Sequence, residues 1–224
     1  MTDRKLVVFD FDGTLVESHT GLTESLKEFS ESRNLPWSSE KMGLGYTTPL
    51  ISDLGWGVSF EEQVRLLKEL QKFYFDELIT SRRFMPTMFL HTEEVLQELH
   101  GKYDLSIVTA RDRLSLNAVL EYYNLNEYFK GYRSLTCAAE RGHLIKPKPD
   151  AIYCLIKDTN HSLENIVVIG DTNSDIGMAN NAGVKSIAAL WGVHPVEKLQ
   201  QENPTIMLEN IKDLPQAIEK VFSL

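Results

Sequence analysis

The chain carries short runs that are apolar at consecutive positions, separated by longer stretches with the three-to-four-residue spacing of helices. KLVVFDF (Lys5–Phe11), DLSIVTA (Asp104–Ala110), NIVVIGD (Asn165–Asp171) and VKSIAAL (Val184–Leu190) predict strands apolar on both faces. Such strands belong in a parallel sheet covered by helices on each side. GYRSLTC (Gly131–Cys137) and TIMLEN (Thr205–Asn210) predict two weaker strands. Between these runs, TEEVLQELHGK places Val95, Leu96 and Leu99 on one stripe, with Gly101 beyond them as a cap. RLSLNAVLEYYNL and DAIYCLIKDT repeat the pattern. Strand–helix alternation of this kind predicts the α/β class with a doubly wound parallel sheet.

One segment breaks the alternation. From about Glu17 to Met85 no strand is convincing, while GLTESLKEFSESRNL and FEEQVRLLKELQKFYFDELI carry helical periodicity around the glycine-rich GLGYTTPLISDLGWG. About seventy residues are too many for a loop in a compact domain. The expected organisation is a discontinuous core, residues 1–16 and 86–224, with a helical cap inserted at 17–85 over the end of the sheet. No internal repeat or Pro/Ser-rich linker interrupts it.

At 224 residues the chain can bury a sizeable core, and its apolar (42%) and charged (25%) fractions are ordinary for a globular protein. A net charge of −9 without a basic stripe argues against broad nucleic-acid binding. It leaves room for a small phosphorylated ligand, because a pocket sets its own field. Cys137 and Cys154 lack metal-ligand spacing, so free thiols are expected. No run approaches the ~18 apolar residues of a membrane span, and the first strand starts too early to leave room for a signal peptide. A cytoplasmic protein with no membrane partner is expected.

In an open α/β sheet, ligands bind at the carboxyl ends of the strands. There the chain sets Asp10 and Asp12 after the first strand, Thr109 after the second, and Asp171 and Asp175 after NIVVIG. The loop LIKPKPDA adds Lys146 and Lys148 just before a helix. Paired carboxylates at the end of a buried strand repel each other and resist desolvation. Unless a turn keeps them solvated, they need a cation. Four carboxylates, a hydroxyl and a lysine at one edge match what a divalent cation with a phosphate requires.

DFDGT, SIVTAR, KPKPD and VIGDTNSDIGMANNAGV occur in that order, and together they resemble the four motifs of the haloacid dehalogenase (HAD) superfamily. The resemblance covers about Lys5–Ser18 and Arg83–His194. The helical segment after the first motif is similar to the cap of the phosphoglycolate-phosphatase-like branch. The likeness implies a Rossmann-like core and a Mg²⁺-dependent phosphatase of a small phosphorylated metabolite, working through an aspartyl-phosphate intermediate. It makes Asp10 the nucleophile, and it assigns Mg²⁺ to Asp10, Asp171 and the backbone carbonyl of Asp12, with Asp175 nearby as a further ligand or as an anchor behind them. Magnesium takes oxygen ligands and is held by one or two carboxylates plus substrate phosphate, which agrees with that set.

By the same likeness, Asp12 protonates the leaving alcohol and then takes a proton from the attacking water. Thr109 and the backbone N–H groups after it hold phosphate oxygens at a helix start. Lys146 pairs with the phosphoryl group and the nucleophile. Dehalogenase-like members lack the second aspartate of the first motif and phosphonatase-like members carry Ala there, so Asp12 implies cleavage of a P–O bond. A sugar phosphomutase keeps both aspartates and is the chemical rival. A noncatalytic phosphate-ligand binding protein is the rival from another class. Phosphoglycolate leads as the substrate, with pyrophosphate or a sugar phosphate next, and the oligomeric state is not readable.

Each role has a plainer alternative. Asp10 and Asp12 could be Asx-turn residues, Asp175 a helix cap, and Thr109 a strand-end hydroxyl bonding its own turn. The KPxPD pattern favours Lys146 over Lys148. Ala110 can offer substrate only its backbone N–H, and Arg111 is open between surface and substrate. In the cap, Gly43 and Gly45 allow unusual backbone conformations, and by analogy their loop selects substrate. Tyr46 and Trp56 read as core aromatics or substrate contacts, and His143 and His194 as surface or core residues.

Overall fold

A computed structural model describes residues 4–37, 56–134 and 146–224 of the chain. The chain divides into two compact units, Met1–Glu17 with Thr87–Leu224, and Ser18–Pro86.

The larger unit is built on strands β1 (Leu6–Phe9), β2 (Val16–Glu17), β3 (Thr87–Met88), β4 (Asp104–Val108), β5 (Phe129–Arg133), β6 (Ile166–Gly170), β7 (Lys185–Ala189) and β8 (Ile206–Leu208). Six of them form one sheet in the order β5-β4-β1-β6-β7-β8, and every pairing in it is parallel. This is the Rossmann-like doubly wound order, which reverses direction between β1 and β6. β2 and β3 make a separate antiparallel pair, and they adjoin the boundaries of the Ser18–Pro86 unit.

The central strands are buried on both faces, as their unbroken apolar runs predict. Leu6, Val8, Ile166 and Val168 pack into one cluster with Ile152, Leu155, Met178, Ala179 and Ala182 from the helices Asp150–Thr159 and Asn173–Ala182. Their neighbours Val7, Phe9, Val167 and Ile169 point to the opposite face by the two-residue strand period, and they too are fully buried. The stripe Val95, Leu96, Leu99 is buried on the helix Thr92–Lys102. Among the described residues, no helix is long and apolar enough to cross a membrane.

The weaker strand predicted over Gly131–Cys137 lies earlier, at Phe129–Arg133. Phe129 packs edge-on against Phe9 with ring centroids 6.4 Å apart, which draws the start of the strand towards the core. Cys137 lies outside the described residues, and Cys154 is buried and in no disulfide among the described residues.

The smaller unit pairs the helices His19–Ser32 and Phe60–Thr80. Leu26, Phe29, Trp56 and Leu66 form its core. Trp56 is buried there, and its Nε1 donates to Ser30 Oγ at 3.1 Å, so this aromatic serves the core. The longer helix starts at Ser59, whose side chain accepts from Glu62 N, and Glu61 and Glu62 favour the positive end of the helix.

Candidate active site

The site begins with the register of three strands. β1 pairs Phe9 with Ile107 on one side and with Ile169 on the other. Continuing by one residue brings Asp10 level with Val108 and Gly170, so the ends of β1, β4 and β6 open at one edge. The ladder continues into Asp10, whose N–H donates to Ile169 O at 2.8 Å. Phe11 is fully buried between Asp10 and Asp12. Its carbonyl accepts from Leu15 N at 2.9 Å and Val16 N at 3.1 Å, which folds DFDGT into a tight turn. Gly13 has φ +83°, and a Cβ there would come within 2.2 Å of Asp171 Oδ2. Only glycine satisfies both conditions.

Asp10, Asp171 and Asp175 are all buried, and one oxygen from each lies within 4.8 Å of the others. Two more glycines permit this approach. A Cβ on Gly170 would sit 2.3 Å from Asp175 Cβ, and one on Gly192 would sit 2.1 Å from Asp171 Cβ. Asp171 Oδ1 accepts from Thr14 Oγ1 at 3.0 Å and its Oδ2 from Val193 N at 2.9 Å. Asp175 lies in the first turn of the helix Asn173–Ala182 and forms a capping box with Thr172. The plainer helix-cap reading therefore describes part of what it does, since Oδ2 accepts from Thr172 N at 3.0 Å while Oδ1 faces Lys146.

Lys146 Nζ donates to Asp10 Oδ1 at 2.5 Å and to Asp175 Oδ1 at 2.6 Å. The loop behind it is tied down where Asn181 Nδ2 donates to Pro147 O at 2.9 Å. Lys148, the neighbouring candidate, is exposed.

One ammonium among three buried carboxylates leaves the cluster short of positive charge. Burial pushes the Asp10 carboxyl well above its usual range, and Asp175 and Asp171 push it further against the opposing pull of Lys146. Burial, then Asp175, raise Asp171 to about 7. Burial also works against the Lys146 ammonium, but Asp10 and Asp175 outweigh it and hold its pKa above the usual lysine value. A group of hard oxygen donors, closely spaced and undercompensated, suits a divalent cation such as Mg²⁺ and offers no sulfur or imidazole to a softer metal.

On the β4 side, Thr109 is buried and its Oγ1 accepts from Arg111 N at 3.0 Å. Ala110 is exposed. The Arg111 side chain is only 4% exposed, so the surface alternative does not hold. Its Nε lies 3.0 Å from Asp12 Oδ2 and its Nη2 lies 2.5 Å from Asp12 Oδ1. The helix that follows starts at Asp112, whose Oδ1 accepts from Leu114 N at 2.9 Å and Ser115 N at 3.1 Å. The amides expected to be offered to a phosphate are thus partly engaged within the chain. A short acidic side chain at the N-cap position competes directly for the same donors.

Two contributors were missed from the sequence. Thr14 belongs to the quoted DFDGT motif, and its hydroxyl on Asp171 was visible only as a motif letter. The loop Gly192–His194 has no such signal, because it acts through close packing and the Val193 amide. His194 is buried as a core residue, with Nδ1 accepting from Asn173 N at 3.1 Å. Gly43, Gly45, Tyr46 and His143 lie outside the described residues.

A match to the haloacid dehalogenase-like hydrolase family spans residues 7–189. A phosphoglycolate phosphatase from Shigella boydii is 25% identical, over 96% of this chain and 93% of its own length. The pyrophosphatase PpaX of Oceanobacillus iheyensis is 24% identical, over 98% and 99%. Among solved structures, a "predicted phosphoglycolate phosphatase" from Haemophilus somnus superposes with a TM-score of 0.82 at 23% identity, covering 97% of this chain and 99% of that one. The fold, the order of the strand-end residues and the extent of the match agree, and the chain belongs to the haloacid dehalogenase-like hydrolase family.

Proposed function

We propose that this hydrolase is a Mg²⁺-dependent phosphatase that cleaves a small phosphorylated metabolite through an aspartyl-phosphate on Asp10. The observation that carries the reading is the buried triad of Asp10, Asp171 and Asp175 with Lys146 bonded to two of them. One ammonium leaves the charge balance of three buried carboxylates unfinished, and a cation among these oxygens would complete it and serve phosphoryl transfer.

Asp10, Asp171 and Asp175, with the carbonyl of Asp12, would hold Mg²⁺. The ion supplies positive charge that lets a phosphate dianion approach a carboxylate. Asp10 then attacks phosphorus through a carboxylate oxygen, and Lys146 favours the ionised form of that carboxylate and aims it. Thr109 Oγ1 accepts from Arg111 N and keeps its own proton to donate to a phosphate oxygen. Asp12 gives a proton to the departing alkoxide, and in the second half-reaction it removes one from the water that attacks the phosphorus of the acyl phosphate. Phosphate leaves and Asp10 is restored.

A phosphoglycolate-like phosphomonoester is the leading substrate and pyrophosphate the next, supported by the named relatives of similar length. We assign substrate choice to the Ser18–Pro86 unit, the cap of the family resemblance, and the protein to the cytoplasm. The test is phosphate release from 2-phosphoglycolate, pyrophosphate and sugar phosphates with Mg²⁺. Release by the native chain and none by Asp10→Asn supports the reading. Conversion of a sugar phosphate to its isomer without phosphate release would replace it with a phosphomutase.

A further inference from the structure

The Asp12 carboxylate is gripped from one side by a planar cation. Both of its oxygens face Arg111, with Nε at 3.2 Å from Oδ1 and 3.0 Å from Oδ2, and Nη2 at 2.5 Å from Oδ1. The Arg111 side chain is 4% exposed while that of Asp12 is 23% exposed. The guanidinium therefore lies on the protein side, and the carboxylate keeps its open side towards solvent. Arg111 is itself held by its backbone bond to Thr109 Oγ1, and its guanidinium carbon lies 5.9 Å from the centre of the Phe11 ring. The clamp thus joins the turn after β1 to the turn after β4.

We propose that Arg111 is the positioning residue for Asp12, fixing the place and rotation of the carboxylate that moves protons in both half-reactions. The proposal rests on the phosphatase reading. It gives Arg111 a task at the acid–base carboxylate itself, since Nε and Nη2 together span both oxygens of Asp12.

The physical need is clear. Asp12 sits beyond the end of a strand, where its side chain would otherwise sample several rotamers. A proton-transfer group must come within hydrogen-bond reach of the reacting oxygen, and a misplacement of about 1 Å costs on the order of 100-fold in rate. A bidentate guanidinium sets distance and plane together, which a lysine ammonium cannot do.

The experiment is a double-mutant cycle on the full chain with Mg²⁺, using Arg111→Met, Asp12→Asn and the pair. Steady-state kcat and KM are measured for 2-phosphoglycolate, and for p-nitrophenyl phosphate, whose leaving group needs little protonation. Arg111→Met is expected to lower kcat for 2-phosphoglycolate by about 10-fold or more, with KM within about 3-fold, and to cost p-nitrophenyl phosphate less. In the Asp12→Asn background the same change should alter kcat by less than about 3-fold, because the group it acts through is gone. Arg111→Lys should restore part of the loss, and Arg111→Gln replaces Arg111→Met in the cycle if the methionine variant does not fold by circular dichroism. A rise in KM of about 10-fold at unchanged kcat would make Arg111 a substrate ligand and overturn the proposal. Equal losses in both backgrounds would overturn it too. A native chain that releases no phosphate from these esters, from pyrophosphate or from sugar phosphates overturns the phosphatase reading and this proposal with it, whereas additive losses in an active enzyme overturn this proposal alone.

Discussion

Lys146 holds Asp10, its ammonium donating to Oδ1 at 2.5 Å across 136 residues of sequence. The same ammonium reaches Asp175 at 2.6 Å, so a single side chain on the loop before Asp150 joins the end of β1 to the first turn of the helix Asn173–Ala182. This pairing makes a buried carboxylate tolerable, and it carries the first prediction. Lys146→Ala should lower kcat by on the order of 100-fold, as loss of a charge-stabilising donor does. In the metal-free protein at neutral pH it should also cost about 3 kcal/mol of stability, because it strands buried charge. Steady-state kinetics and urea unfolding in EDTA measure the two effects separately.

Removal of the metal should silence the enzyme. EDTA is expected to abolish phosphate release, and excess Mg²⁺ to restore it. Mg²⁺ should also raise the melting temperature at neutral pH, since a ligand bound only by the folded state stabilises it by mass action. Asp171→Asn should lose most of both responses. Undiminished turnover in EDTA would remove the metal from the mechanism.

The raised pKa of Asp171 predicts a pH dependence with a definite sign. From the ordinary carboxylate value of 3.8 up to about 7, native Asp171 keeps a proton that the unfolded chain has lost. The native state then binds more protons, so the free energy of unfolding falls as pH rises through that window. Burial is the first cause of the shift and Asp175 the second. In EDTA, the native chain should lose more stability between about pH 5 and 7.5 than Asp171→Asn does. Denaturant midpoints at a series of pH values check it, and parallel curves for the two proteins would contradict it.

Gly192 offers a test of the packing behind the site. A Cβ there would lie 2.1 Å from Asp171 Cβ, so Gly192→Ala must displace either the aspartate or its own loop. The expected result is a loss of about 10-fold or more in kcat and a destabilisation of about 1–3 kcal/mol. Gly101→Ala is the control, since nothing lies within 4 Å of a Cβ at that position.

Much of this arrangement was legible because it follows from local chemistry. Consecutive apolar residues in β1 and β6 announced strands buried on both faces, and a parallel sheet with those strands central places Asp10 and Asp171 at one edge by register. Lys146 and Asp175 were legible as motif residues next to helix starts. What escaped depends on contacts between segments far apart in sequence. Arg111 looked equally suited to the surface or to substrate, because no local pattern says that its guanidinium crosses to Asp12, 99 residues away. The Val193 amide on Asp171 involves a backbone group, which residue identity does not encode. Phe129, where β5 starts, meets Phe9 edge to face, a contact between distant segments that no local pattern announces.

The central claim is that Asp10 becomes phosphorylated. The direct measurement is a rapid acid quench of the native chain turning over a substrate labelled in its phosphoryl group, followed by peptide mapping of the precipitated protein. The account predicts acid-trapped label on the peptide that contains Asp10, absent from Asp10→Asn. Turnover with no label on the protein, or with label on another residue, would contradict it.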